Sequence, residues 1–209
     1  MKAMDIIEIA VSIISVVVNI ALFCGYMSQV KAMKKQIEIM EKQLNDEKIK
    51  TNSDTTLNVL LAWTNGLTSN MTRSRKIVEK LSKDQCKLLF ECKTFKVTSD
   101  IYIEICVRIG NKVPEEITEH DLNADEINTL RDDCIRYLNL LEVVLTSCKL
   151  DAVNSDIIEQ QFRYLIKPKH KESVLQNFRI SCGGKEAYPA IEAYCDKILN
   201  ESDCKNEKS

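Results

Sequence analysis

The hydrophobic pattern of the chain begins with one long apolar run. Residues 6–27 are almost wholly apolar and contain no Lys or Arg. A helix of this length, at ~1.5 Å per residue, would cross a bilayer core of ~30 Å. The run continues, with no proline and only Gly25 as a weak point, into a strong helix-forming sequence that reaches about Leu44. The pattern therefore predicts one long helix that starts in a membrane and leaves it.

Polar residues inside this run and apolar residues after it fall on one face of the predicted helix. Inside lipid, Ser and Asn side chains hydrogen-bond between helices, and such contacts contribute roughly 0.6–2 kcal/mol. In water, apolar residues at heptad spacing pack as coiled-coil knobs. We call this face the seam, and it consists of Ser12, Ser15, Asn19, Tyr26, Val30, Met33, Ile37, Met40 and Leu44.

The seam predicts association with a second copy of the helix. Two other interpretations stay open: a lone anchor that tolerates a few polar residues, and a helix that packs on its own domain. Two and a half heptads are short for a coiled coil, so we expect the span or the domain to assist.

The polar run 51–56 interrupts the periodicity and predicts a break, with Ser53 or Asp54 as the next N-cap. We expect a helix from Leu57 to Leu81, weakened at Asn65 and Gly66, with Trp63 as a core anchor. A capping-box pattern at residues 82–85 then opens a helix that carries the apolar residues from Leu88 to Phe95.

Residues 97–110 are ambiguous, because their apolar positions alternate as in a strand. Since no convincing second strand is present to pair with them, we predict a helix. Residues 111–121 read as a loop around Pro114. Asn123 and Glu126 then cap the clearest helix of the chain, whose apolar stripe runs from Ile127 to Cys148.

The remaining chain predicts three shorter helices. The first carries residues 157–165, and a basic turn over residues 167–171 follows it. The second carries residues 174–180 and ends at Gly183 and Gly184. The third begins at Pro189, which suits a first helical turn, and ends near Leu199.

The predicted fold class is therefore all-α: an N-terminal transmembrane helix that continues into a coiled-coil-like rod, followed by a cytoplasmic helical bundle. The predicted segments are 1–28, N-terminal tail and transmembrane helix; 29–50, helical rod; 51–200, helical bundle; and 201–209, disordered tail.

Composition supports helices and a cytoplasmic domain. Gly and Pro together contribute 8 of 209 residues (5 Gly and 3 Pro), which favours helix. Lys31, Lys34 and Lys35 follow the apolar run, while an acidic amino end precedes it. The positive-inside rule then places the C-terminal domain in the cytoplasm of a single-pass protein in the inner (plasma) membrane. The same acidic end, and the absence of a small-residue cleavage site, disfavour a cleaved signal peptide.

The nine cysteines fit a reducing compartment. Their number is odd and no Cys-x-x-Cys is present, so neither a disulfide framework nor a zinc site is predicted. Cys106, Cys134 and Cys148 lie among apolar residues and read as small buried hydrophobes. No metal and no cofactor is expected.

The candidate chemistry is sparse. Arg136, Asn139 and Glu142 form a possible polar cluster, which could bind a small ligand or clamp two helices together. A possible basic patch could contact anionic headgroups or nucleic acid or be a solvated turn; its members are Lys167, Lys169, His170, Lys171 and Arg179. The near balance of 29 basic and 31 acidic residues argues against nucleic acid as a partner. No hydrolase triad, Walker loop or dinucleotide turn is recognisable, and we predict no catalytic residue.

The segment 136–142, with Cys148-Lys149-Leu150-Asp151 and a short helix ending near Phe162, resembles a family of uncharacterised bacterial proteins. Members pair one N-terminal span with a cytoplasmic helical domain of unknown function. The resemblance implies a helical fold and a membrane tether rather than an activity. Some similar anchored proteins sit beside phage-defence genes, which implies a defence role.

These observations predict a non-enzymatic, homo-oligomeric protein anchored in the lipid bilayer, whose cytoplasmic domain binds a protein partner or a signal. It could act as a membrane-disrupting phage-defence effector. Two alternatives remain: a passive adaptor that localises a soluble partner, and an enzyme with an unrecognised site.

Overall fold

The computed structural model describes the backbone of residues 3–113, 118–167 and 172–206. The side chains of residues 3–26, 28, 32, 167, 172 and 201–206 lie outside this description. By internal contacts the chain divides into two compact units, residues 1–51 and 52–209.

The described chain is mostly helical, which confirms the predicted helical class. Its α-helices are α1 (Ala3–Gly66), α2 (Ser69–Val78), α3 (Lys83–Phe90), α4 (Ser99–Ile109), α5 (Ala124–Lys149), α6 (Ser155–Phe162), α7 (Gln176–Ser181) and α8 (Pro189–Asn206). A 3-10 turn at Arg163–Leu165 follows α6.

Four short strands form two antiparallel pairs. They are β1 (Lys96–Thr98), β2 (Glu119–Asp121), β3 (Ile166–Lys167) and β4 (Glu172–Ser173). In the first pair Val97 lies opposite His120, and in the second Ile166 lies opposite Ser173. The ambiguous segment 97–110 is thus a short strand end followed by the predicted helix. The expected loop 111–121 ends earlier than predicted, at β2, and its residues 114–117 lie outside the described part of the chain.

Helix α1 shows no break at residues 51–56, so that prediction is wrong. Thr56 donates its hydroxyl to the backbone carbonyl of Asn52 at 2.6 Å, one helical turn back. The same hydroxyl oxygen accepts the backbone N–H of Asn154 at 2.7 Å. The Thr56 hydroxyl could have competed with the backbone hydrogen bonds of the helix. It is instead satisfied by one partner within the helix and by a second partner distant in sequence.

No helix in the described part of the chain combines the length and apolarity needed to cross a membrane. The predicted span at residues 6–27 falls almost entirely on side chains outside the description, although its backbone is helical as part of α1.

The helix predicted from Leu57 to Leu81 forms the end of α1 and terminates earlier than expected. It stops at Gly66, where an added Cβ would lie only 3.1 Å from Leu140 Cδ2. The Thr68 hydroxyl then caps a new helix, α2, by accepting the N–H of Met71 at 3.1 Å. The close approach to Leu140 is a tertiary contact, which the local pattern at Asn65 and Gly66 indicated only as a weakness.

Both predicted capping boxes are present. Ser82 and Gln85 exchange side-chain and backbone hydrogen bonds at the start of α3, and Asn123 and Glu126 do the same for α5. Helix α3 nevertheless ends at Phe90, short of the predicted Phe95. Cys92 has a φ of 56°, a left-handed conformation that cannot continue the helix.

The C-terminal predictions are confirmed in part. Helix α7 ends before Gly183 and Gly184, both with positive φ, and α8 begins at Pro189. Of the predicted tail 201–209, the backbone of residues 201–206 is described as the end of α8, and residues 207–209 lie outside the description.

Helix α5 carries the centre of the core. Ile127, Leu130, Cys134 and Leu138 of its predicted stripe are fully buried. Trp63 of α1 is also buried and contacts two rings edge-on, that of Tyr137 at a centroid distance of 5.5 Å and that of Phe162 at 4.9 Å. These edge-on ring contacts confirm Trp63 as a core anchor and join α1, α5 and α6.

Candidate functional site

The described part of the seam lies on the surface of a single chain. Met33, Ile37, Met40 and Leu44 are 53–64% exposed, and Val30 is half-buried. The side chains of Ser12, Ser15, Asn19 and Tyr26 lie outside the described residues. Four large apolar side chains at heptad spacing are therefore left in water.

The predicted polar cluster is not a single site. Arg136 and Asn139 are exposed. Glu142 instead accepts the backbone N–H groups of Ala190 at 2.7 Å and Ile191 at 2.9 Å, at the start of α8. This side chain clamps two helices together, as one of the two predicted interpretations proposed.

Asp132 and Asp133, the acidic residues within one turn of Arg136, have other partners. Asp133 accepts from Arg108 of α4, whose Nε lies 2.9 Å from Asp133 Oδ2. Ser74 of α2 donates its hydroxyl to the same carboxylate at 2.6 Å and is itself fully buried. Asp132 is paired with its neighbour Arg131. Arg108, Asp133 and Ser74 thus join three helices in a polar contact that the sequence did not reveal.

Arg179 does not belong to a surface basic patch, which corrects that prediction. It is 1% exposed, and its Nε donates to Glu192 Oε1 at 3.0 Å. Its other nitrogens donate to the Val174 carbonyl and to the Ser173 hydroxyl. The side chains of Lys167, Lys169, His170 and Lys171 lie outside the described residues.

The described cysteines divide by burial. Cys86, Cys106, Cys134 and Cys195 are buried, Cys148 and Cys182 are half-buried, and Cys92 is exposed. Burial, with a contribution from Cys182, raises the pKa of Cys86 to about 12. Burial also raises the pKa of Cys182 to about 11 and holds that of Cys134 well above its ordinary value. Such thiols stay protonated at neutral pH and are poor nucleophiles.

A cavity of about 300 Å³ lies in the second unit, between α2, the 3-10 turn and the β4–α7 segment. Among the described residues that line it, Arg75 and Glu79 are charged, and Tyr164, Ser173 and Asn177 contribute polar groups. Arg75 Nη1 donates to Glu79 Oε1 at 3.1 Å. The sequence analysis did not identify this cavity, because an Arg–Glu pair one turn apart is ordinary on a helix surface.

The chain was compared with family models, curated proteins and solved structures, and nothing matches it in any of the three. The candidate sites therefore depend on their own geometry and chemistry.

Proposed function

We propose that the protein is a membrane-anchored, self-assembling helical protein of the inner membrane, and that its helical domain is cytoplasmic and responds to a partner or signal. The exposed seam of α1 carries this proposal. Burying four large apolar side chains against a second copy would contribute several kcal/mol, at roughly 1.5–3 kcal/mol for each fully buried residue before entropic costs.

A second copy of this chain would bring no like charges together along the flanks of the seam. In a parallel pair Gln29, Gln36 and Gln43 would face Lys34, Glu41 and Lys48 of the partner helix, and all six are exposed. No like charges meet in this arrangement, so the polar flanks permit pairing through the seam.

The membrane anchor is supported by the sequence of residues 6–27 and by the lysines that follow it. Two anchors in one bilayer would hold the chains parallel and raise their effective concentration, which offsets the shortness of the heptad run. Ser12, Ser15 and Asn19 would continue the pairing inside the bilayer.

Assembly at a membrane suits an effector that perturbs the bilayer, and the family resemblance implies a role in phage defence. Expression of the full chain in bacteria tests this effector function. Growth arrest with loss of membrane potential is the expected result. Membrane localisation and oligomers without either effect would indicate a passive adaptor instead. Full release of the chain from membranes by alkaline carbonate would contradict the anchor itself.

A further inference from the structure

We propose that the cavity between α2 and the β4–α7 segment binds a small zwitterionic molecule of the amino-acid type. Its carboxylate would be held by Arg75 and its amino group by Glu79. Binding of this molecule is inferred from the cavity alone. Only its role as a signal rests on the proposed function.

The guanidinium of Arg75 has one hydrogen-bonding edge without an acceptor. Its Nη1 donates to Glu79, and its Cζ lies 5.6 Å from the centroid of the Tyr137 ring. Within the described residues Nε is buried and has no partner, and no hydrogen bond of Nη2 is present either. Because a ligand cannot reach the buried Nε, Nη2 is the nitrogen that would donate to a ligand carboxylate.

Glu79 complements this edge with an acceptor. Its Oε1 accepts from Arg75 and also from the backbone N–H of Leu175 at 3.4 Å. Its Oε2 makes no hydrogen bond to a described residue, and the side chain is 27% exposed. An ammonium or amine group of a ligand would satisfy this oxygen.

The charge of the lining selects between possible anions. Among the described lining residues Arg75 and Glu79 are the charged ones, and their formal charges cancel. A phosphate dianion at Arg75 would lie near the Glu79 carboxylate, and the described lining residues include no second cation. A zwitterion instead offers each side chain its opposite charge, which favours an amino acid over inorganic phosphate.

The wall segment 173–175 of the cavity is held in place by hydrogen bonds. Arg179 Nη2 donates to Ser173 Oγ at 3.1 Å, and Arg179 Nη1 donates to the carbonyl of Val174. Leu175 is buried with a left-handed φ of 48°, which is unusual for a leucine and keeps its N–H on Glu79. A wall fixed in this way lowers the entropic cost of binding. The volume lies at the lower end of the range of ligand pockets, ~300–1,000 Å³, and suits a small molecule.

The test uses the purified full chain in detergent and the twenty free L-amino acids, with acetate, methylammonium and inorganic phosphate as single-charge comparisons. We expect at least one amino acid to raise the thermal unfolding midpoint and to bind by calorimetry, and the three comparison ions to do neither. Binding of phosphate or acetate alone would overturn the zwitterion assignment, and binding of none of these probes would overturn the site.

Variants locate the binding. Arg75→Lys removes the guanidinium Nη2 donor and should weaken amino-acid binding about tenfold or more. The matched control Arg73→Lys alters an exposed residue of the same helix and should leave affinity unchanged. If Arg75→Lys unfolds the chain, Asn177→Trp tests the site instead. A large side chain on the cavity lining should abolish binding. Unchanged affinity in Arg75→Lys or in Asn177→Trp would overturn the proposal.

Crosslinking of the same samples reports self-association separately. Binding with no oligomers would contradict the proposed assembly alone, and oligomers with no binding would contradict the cavity ligand alone.

Discussion

Glu142 of α5 accepts a hydrogen bond from the backbone N–H of Ala190 at 2.7 Å, and so fixes the start of α8 on the core. A second bond, from the N–H of Ile191, uses the other carboxylate oxygen. The first N–H groups of a helix have no partners within it, and a carboxylate there also interacts favourably with the helix dipole.

Glu142→Gln should therefore lower the free energy of unfolding by roughly 1–3 kcal/mol, because the amide keeps one acceptor oxygen and loses the charge. Denaturant unfolding of the full chain in detergent measures this change. Asn139→Gln, an exposed substitution on the same helix, is the control and should stay within about 0.5 kcal/mol of the parent. Equal stability of the parent and Glu142→Gln would show that this contact does not hold α8.

The buried hydrogen bonds of Arg179 indicate a structural residue rather than part of a surface patch. Arg179→Met should destabilise the chain by about 3–5 kcal/mol, since Glu192 and the Val174 carbonyl lose a buried partner. The free energy of unfolding again measures it, with exposed Arg73→Met as the matched control. A loss below about 1 kcal/mol would mean that Arg179 is not buried in solution.

The buried thiol of Cys86 should make stability fall in alkaline solution. Its pKa is raised by burial from 9.0 to about 12, so between these values the unfolded chain releases a proton that the folded chain retains. Above pH 9 the unfolded state therefore binds fewer protons, and the free energy of unfolding decreases as pH rises.

Cys86→Ala should flatten this decrease by up to about 1.4 kcal/mol per pH unit, apart from a constant loss of core packing. Unfolding measured from pH 8 to 11 gives the slope. The exposed Cys92→Ala is the control and should leave the slope unaltered. An unchanged slope in Cys86→Ala would place this thiol in contact with water.

Membrane orientation can be tested through Cys92. This thiol is exposed, whereas Cys182 is half-buried and its raised pKa slows labelling. A membrane-impermeant maleimide should fail to label Cys92 in intact cells and label it after permeabilisation. The comparison of the two samples controls for intrinsic reactivity, and labelling in intact cells would reverse the proposed topology.

The sequence predicted correctly the features that depend on interactions between neighbouring residues. The capping boxes at Ser82 and Asn123 and the buried stripe of α5 follow from residues close together in sequence. The prediction of a break at residues 51–56 was wrong because the Thr56 hydroxyl accepts a hydrogen bond from Asn154, nearly a hundred residues away in sequence. Polar composition alone could not indicate that contact.

Among the candidate sites, too, those that depend on local spacing were predicted, and those formed by residues distant in sequence were not. The heptad residues of α1 were predicted from spacing, and the described ones are exposed apart from half-buried Val30. Arg179 was assigned to a patch because basic residues precede it in sequence, whereas the fold turns it towards Glu192. The cavity was missed because residues 75–79, 164–165 and 173–178 meet only in the folded chain.

The seam in lipid can be tested through Asn19. Asn19→Leu should improve insertion of the anchor, since leucine enters a bilayer more favourably, yet weaken assembly by removing a hydrogen-bonding side chain. Membrane fractionation and crosslinking report these two effects separately. Loss of both together would indicate a failure of insertion rather than of pairing.

Crosslinking of the full chain in membranes, comparing Ile37→Lys with Ile39→Lys, tests the central claim of seam-mediated assembly most directly. The two isoleucines are 53% and 48% exposed and two positions apart, so they differ chiefly in helix face. Ile37→Lys places like charges within the seam and should reduce the crosslinked oligomer strongly, while Ile39→Lys should match the parent. Equal crosslinking of Ile37→Lys and the parent would contradict assembly through the seam.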